Sequence, residues 1–343
     1  MTTPMQERVE GSATGTTRPP SPPSVLVIGA RRAQQGIGEF VARSFHDAGA
    51  RVAAIVGTTA PTLLEARDAL ARRHGIHCHG YVNLIEALEV ERPNIVAVCS
   101  PIAAHHRQLE RVAAAGAHCL CEKPMWWADL PQLELVRETG ALVDEFIARN
   151  GYLALITQWP ATLATYWTLY PEVQGETVKS LAMLMGPTHY GPRMVLDAAP
   201  HLISLLQALV GLGEVEVPAV EWAASRREVT VRFRYRPVNG ATVAAQLELR
   251  QTPAPPRPAG YAINGRWVER VIELPAYDMS FVAAGRRTPL PDPLAQHVQQ
   301  FLHCVDAGKS ADRPALVEGM RALAMLHSAA HASFPGEIPT VAP

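Results

Sequence analysis

Residues 24–30 read SVLVIGA, an unbroken aliphatic run that stops at a glycine. A strand with one wet face alternates apolar and polar residues. A strand apolar on both faces belongs in a parallel sheet covered by helices on each side. After Gly29 come ARRAQQ and the glycines Gly36 and Gly38, then Phe40, Val41, Phe45 and Ala48 at helical spacing until Gly49. Residues 51–57 (RVAAIVG) form a second such run, and Thr58, Thr59 and Pro61 open another helical segment. A strand–helix–strand unit of this kind closes with a right-handed crossover. Its glycine-rich first turn is where a dinucleotide pyrophosphate rests, on backbone amides and a helix N-terminus.

The alternation continues for about 100 residues. A short strand at 79–81 is followed by a helix at 83–90, a strand at 95–100, a helix at 103–115 and a strand at 118–121. A helix at 130–149 and a strand at 152–157 complete a first unit, residues 24–158. Beyond it the texture changes. Helices are expected near 161–169 and 197–210, and strands near 178–185, 215–222, 229–235, 242–249, 261–264 and 267–274. Asn239–Gly240 and Asn264–Gly265 supply hairpin turns. Helices at 294–305 and 315–331 precede an extended, proline-rich end at 334–343. The expected fold is therefore α/β: a parallel-sheet dinucleotide domain over 24–158, then an α+β domain with a large, mainly antiparallel open sheet over 159–343. Residues 1–23, ending RPPSPP, lack periodicity and read as a disordered tail.

Charge excludes some partners. With 31 basic and 32 acidic side chains and a net charge of −1, no overall field favours nucleic acid or an anionic membrane. No uninterrupted apolar stretch approaches the roughly 18 residues of a membrane span. Five scattered cysteines and the lack of a secretory pattern point to a cytoplasmic protein. His74, His77, Cys78 and His79 cluster without the partner spacing of a zinc site, so no metal is expected.

The chemistry centres on Glu122-Lys123-Pro124, directly after the strand at 118–121. Proline holds Lys123 in extended geometry, and the carboxyl ends of parallel strands are where such sheets bind ligands. At the end of the second strand stand Gly57, Thr58 and Thr59, with no carboxylate to take ribose hydroxyls. With Arg31 and Arg32 nearby, this favours NADP over NAD, since guanidinium groups match phosphate; solvated arginines are the alternative reading.

With Cys99–His105 (CSPIAAH) added to the EKP turn and the strand at 152–157, the first domain resembles the glucose-fructose oxidoreductase and inositol dehydrogenase family, Gfo/Idh/MocA. The resemblance implies a Rossmann-type domain whose cofactor-side residues are Gly29, Ala30, Arg31, Arg32, Gly36, Ile37, Gly38, Thr58, Ser100, Pro101, His105, Glu122, Lys123 and Gln158. Ile102 replaces the family's asparagine. Asp197 to His201 (DAAPH) is similar to the family's D-x-G-x-H element, with Ala199 for glycine. This implies catalytic roles for Lys123, Asp197 and His201 beside a nicotinamide. The implied reaction moves a hydride between NAD(P) and a small carbonyl or hydroxyl compound: a sugar, a polyol or a related metabolite. Trp159, His189, Tyr190 and Arg193 are the substrate-side candidates. Family members are commonly homodimers or homotetramers, and the second-domain sheet is the expected interface. The alternatives are a catalytically silent sensor or scaffold on this fold, and an imine or tetrapyrrole reductase.

Overall fold

The computed structural model describes residues 21–31, 36–274 and 277–336. The expected tail at 1–20, Arg32, and the chain end at 337–343 lie outside the described residues.

The first sheet is built from β1 (Ser24–Ile28), β2 (Arg51–Val56), β3 (His79–Tyr81), β4 (Ile95–Val98), β5 (His118–Glu122) and β6 (Leu153–Ile156). They pair in parallel in the order β3-β2-β1-β4-β5-β6. That order is the doubly wound dinucleotide-binding topology, whose crevice opens where the strand order reverses, between β1 and β4. The crossovers are α1 (Gly38–Asp47), α2 (Ala60–His74), α3 (Leu84–Glu91), α4 (His105–Ala114) and α5 (Gln132–Ala148). Alternate residues of one strand serve two layers. Val25 and Val27 pack with Val41 and Phe45 on one face, while Leu26 and Ile28 pack with Leu109 and Val112 on the other. This is why SVLVI has no polar position.

The second domain adds α6 (Leu163–Leu169), β7 (Ser180–Met185), α7 (Arg193–Val210), β8 (Gly213–Trp222), β9 (Glu228–Pro237), β10 (Val243–Arg250) and β11 (Ala259–Ile263). It continues with β12 (Arg266–Glu273), β13 (Asp278–Ala283), β14 (Arg286–Pro289), α8 (Pro293–Asp306) and α9 (Arg313–Ala332). The eight strands run in the order β14-β13-β12-β11-β7-β10-β9-β8. Only β7 and β10 pair in parallel; the other neighbours are antiparallel.

Several expectations need correction. β13 and β14 were not anticipated, because 278–289 is short, carries Arg286 and Arg287, and turns at Ala284–Gly285, both with positive φ. α7 starts at Arg193 rather than near 197, so Asp197 lies a full turn inside the helix. α8, in the second half of the sequence, packs on the first domain: Leu294, Val298 and Phe301 join the core of Val25, Val27 and Phe45. Arg43–Asp292 at 3.0 Å and Arg313–Asp144 at 2.6 Å tie the domains further. At the chain's far end, Phe334 packs edge-on against Tyr190 and Trp222. α7 is long and apolar enough by composition to cross a bilayer, but most of it is buried inside the fold.

Candidate active site

The carboxyl ends of the parallel strands open into a cleft of about 2260 Å³ that the second domain closes. That exceeds the few hundred to 1,000 Å³ of a drug-sized pocket, and leaves room for a dinucleotide and a further small molecule.

The β1 turn is shaped for close approach. Gly29 has φ +82°, and a Cβ there would stand 2.7 Å from the Cys99 carbonyl oxygen. A Cβ on Gly38 would overlap the Gly29 carbonyl oxygen. The bare Cα of Gly38 thus lets α1 begin directly against the turn. Gly29, Ala30, Arg31, Gly36, Ile37 and Thr58 line the cleft as expected, and no carboxylate stands at the end of β2. Arg31 donates to Glu65 at 2.9 Å, both side chains being exposed. Just behind, Glu39 is buried in the first turn of α1 and receives Arg73 and His74 at 3.1 and 3.0 Å. Burial alone would raise its pKa, but the hydrogen bonds from His74 and Arg73 and their charge outweigh it, and the net shift is downward.

The middle of the cleft is framed by Ser100, Pro101, Glu122, Lys123 and Gln158. His105 is almost fully buried, and its ring nitrogens face backbone carbonyls: Nδ1 the oxygens of Pro124 and Met125 at 3.1 and 3.2 Å, Nε2 that of Ser100 at 2.7 Å. It lines the cleft and also ties the β4 exit to the EKP turn. Burial lowers its pKa despite those carbonyls. Burial also pushes the Glu122 carboxyl up, and the adjacent Lys123 ammonium only partly offsets this.

Lys123, half-buried at the end of β5, donates from Nζ to the backbone carbonyl of Asp197 at 2.7 Å. Pro200 sits inside α7 and cannot donate to the turn before it. The Lys123 amine thus meets helix backbone at a turn already disturbed by proline. The Asp197 carboxylate is hydrogen-bonded to Nδ1 of His189. Four residues on, His201 faces the same cleft, buried, with Nδ1 lacking a partner among the described residues. Burial, then the charges of Lys123 and Arg270, hold its pKa well below the usual histidine value. Its ring is therefore neutral at neutral pH.

The expected substrate-side residues Trp159, His189, Tyr190 and Arg193 all line the cleft. Trp159 is buried, its ring facing the Arg270 guanidinium carbon at 5.0 Å. Arg270 was missed from the sequence. On a strand reading WVERVIE, Val268, Arg270 and Ile272 share one face, so an arginine on an inward stripe was the available signal. The candidate zinc-like cluster is taken up otherwise: His74 bonds Glu39, and His79 bonds Glu91 at 2.6 Å.

Residues 24–144 match the family described as "Oxidoreductase family, NAD-binding Rossmann fold" (GFO_IDH_MocA). No curated protein sequence matches the chain. Among solved structures, UDP-N-acetylglucosamine 3-dehydrogenase GnnA from Acidithiobacillus ferrooxidans is similar, with TM-score 0.65 and 21% identity over 91% of this chain and 98% of that one. Myo-inositol 2-dehydrogenase from Lactobacillus plantarum gives TM-score 0.66 at 13% identity, over 91% of this chain and 98% of that one. Levoglucosan dehydrogenase, solved with NADH and levoglucosan, gives 0.62 at 16% identity over 90% and 96%. At such identities the solved structures speak for the fold, and the family match for the cofactor domain. Residues 24–144 thus match the Gfo/Idh/MocA family model with its NAD-binding Rossmann fold, and the solved structures share the fold of the whole chain.

Proposed function

We propose that this oxidoreductase transfers a hydride between a nicotinamide dinucleotide, NADP in preference to NAD, and a hydroxyl or carbonyl carbon of a small sugar- or polyol-like metabolite. The observation that carries the reading is Lys123, whose amine is held at the cleft by the Asp197 carbonyl, near the neutral His201, whose Nδ1 has no partner among the described residues. The Gly29 turn and the start of α1 leave backbone open for a pyrophosphate, and Ser100, Pro101, Glu122 and Gln158 would flank the rest of the dinucleotide. When bound, the nicotinamide supplies or accepts the hydride.

The chain's own residues manage the proton. Moving a hydride to or from a carbon that bears oxygen leaves charge on that oxygen, and a positioned acid or base must neutralise it. Lys123 gives or takes that proton. His201, being uncharged, can hold the substrate hydroxyl through either ring nitrogen. The Asp197–His189 pair keeps its carboxylate at the rim, where a proton can pass to water. Trp159 and Tyr190 close the site from the second domain.

Support for NADP is the carboxylate-free end of β2 with Arg31 beside it. The Arg31–Glu65 pair is exposed, hence weak enough for a phosphate to displace. Steady-state kinetics with both cofactors test this reading. Arg31→Ala should raise the KM for NADPH by about tenfold, one charge-assisted contact, and leave NADH unchanged. Equal effects on both cofactors would remove the NADP preference.

The homo-oligomer also stands as a proposal, through the outer face of the eight-stranded sheet, where Trp267 is exposed. A monomer by light scattering would sink it.

A further inference from the structure

Arg270 has no use in the chemistry just described. It reaches from β12 into the cleft on the same face as its cross-strand partner Phe281, which is fully buried. Its Nε is sealed from solvent without a partner among the described residues. Burial, the largest influence, pulls its pKa below the usual arginine value; the nearby Tyr277 pulls the other way and Arg257 adds to the lowering. The Trp159 ring beneath it at 5.0 Å offsets part of the cost of desolvation. A ring face supplies no acceptor. Burying a cation without its counter-charge is costly, so a guanidinium kept this way marks a place for an anion.

The surrounding charges agree. Among the described residues three aspartates line the cleft: Asp197 and Asp292 are engaged by His189 and Arg43, and Asp278 pairs across the strands with Glu273 rather than with Arg270. Glu122 is pushed toward holding its proton. Lys123 and Arg270 both press on the His201 ring, which puts all three groups around one volume at the second-domain end of the cleft. The dinucleotide pyrophosphate belongs at the Gly29 turn, so the anion at Arg270 is carried by the other reactant.

We propose that Arg270 is the anion-recognition residue of the substrate subsite, and that the substrate is an acidic sugar or polyol derivative whose carboxylate or phosphate the guanidinium grips. Two parallel N–H···O bonds to such a group would also fix which substrate carbon faces the nicotinamide. This rests on the oxidoreductase reading for the word substrate, but not for the anion site.

Calorimetric titration with D-gluconate, D-glucose 6-phosphate and neutral D-glucose tests it, on the protein alone and saturated with NADPH. Either acid should bind about 10²-fold tighter than glucose, the size of a buried charge pair, and the better of the two identifies carboxylate or phosphate. Arg270→Gln should abolish that preference while NADPH affinity stays unchanged. Its melting temperature should be unchanged or higher, because no native partner is lost. Equal binding of acids and glucose would overturn the proposal. So would an Arg270→Gln variant that keeps the preference, that melts lower with the preference intact, or that loses NADPH instead. Failure of NADPH to bind any variant counts against the oxidoreductase reading alone, since the titrations without cofactor still decide Arg270.

Discussion

Single atoms decide the shape of the cofactor end. Gly38 has no room for even a methyl group against the Gly29 carbonyl. Gly38→Ala is expected to destabilise the fold by about 1–3 kcal/mol, as overpacking does, and to weaken dinucleotide binding by moving the start of α1. Urea denaturation beside a cofactor titration checks both. An alanine variant of wild-type stability would mean that the turn and helix give way freely. The same scale shows what could be read from residue order. Lys123 was legible from the strand that precedes it, and Asp197 and His201 from the likeness of DAAPH to a family element; the structure brings the three to one cleft. His105 and Gly38 were legible as important but not as to role, since motif matching cannot tell a residue that touches a ligand from one that holds the backbone behind it. Arg270 needed the strand's register, which a run of eight residues discloses only once its inward face is known.

Among the elements, the junction of α1 with α2 has the clearest energetic signature. Glu39 is buried at the start of α1 and takes both Arg73 and His74 from the end of α2. Glu39→Gln should cost about 1.5–3 kcal/mol at neutral pH, the usual worth of hydrogen bonds to a charged group. Because the folded pKa of Glu39 is depressed, its stabilisation is complete above the unfolded carboxylate value of 4.5 and fades as pH falls through the lower folded value. Denaturation midpoints of wild type and variant should therefore converge on acidification below that window. A gap that persists there would assign the loss to packing. β14, at the sheet edge, and β13 beside it were the elements least legible in the sequence. Short strands at a sheet edge carry charge and little alternation, so the periodic signal is weakest there. The other strands of both sheets were foreseen within a few residues.

Across the whole molecule, burial leaves several histidines reluctant to charge. His105, His118, His201, His297 and His327 all have lowered pKa values, with desolvation the first cause in each, and His327 falls to about 4. For a group whose folded pKa lies below its unfolded value, the unfolded chain binds more protons between the two, so stability falls as pH falls through that window. Glu122, raised by burial, acts in the opposite sense, as one group against five. Stability should decline steadily from about pH 6.5 downward, before most carboxylates begin to titrate. His327→Phe should flatten the decline. A stability profile level between pH 5 and 7 would show these rings to be hydrated or partnered in the folded state.

α8 closes back on the first sheet, a long-range contact that no local pattern announces. The cleft is thus held from both sides, and everything placed in it depends on a dinucleotide lying along the parallel strand ends with its nicotinamide beside Lys123. The most direct measurement is fluorescence titration of NADPH and NADH against wild type and Lys123→Met, followed by turnover of each with an acidic-sugar substrate. Dinucleotide affinity should be equal in the two proteins, while turnover falls about 10²–10⁴-fold in the variant, the usual worth of a positioned proton donor. Absence of binding by either dinucleotide, or full turnover without the lysine, would contradict it.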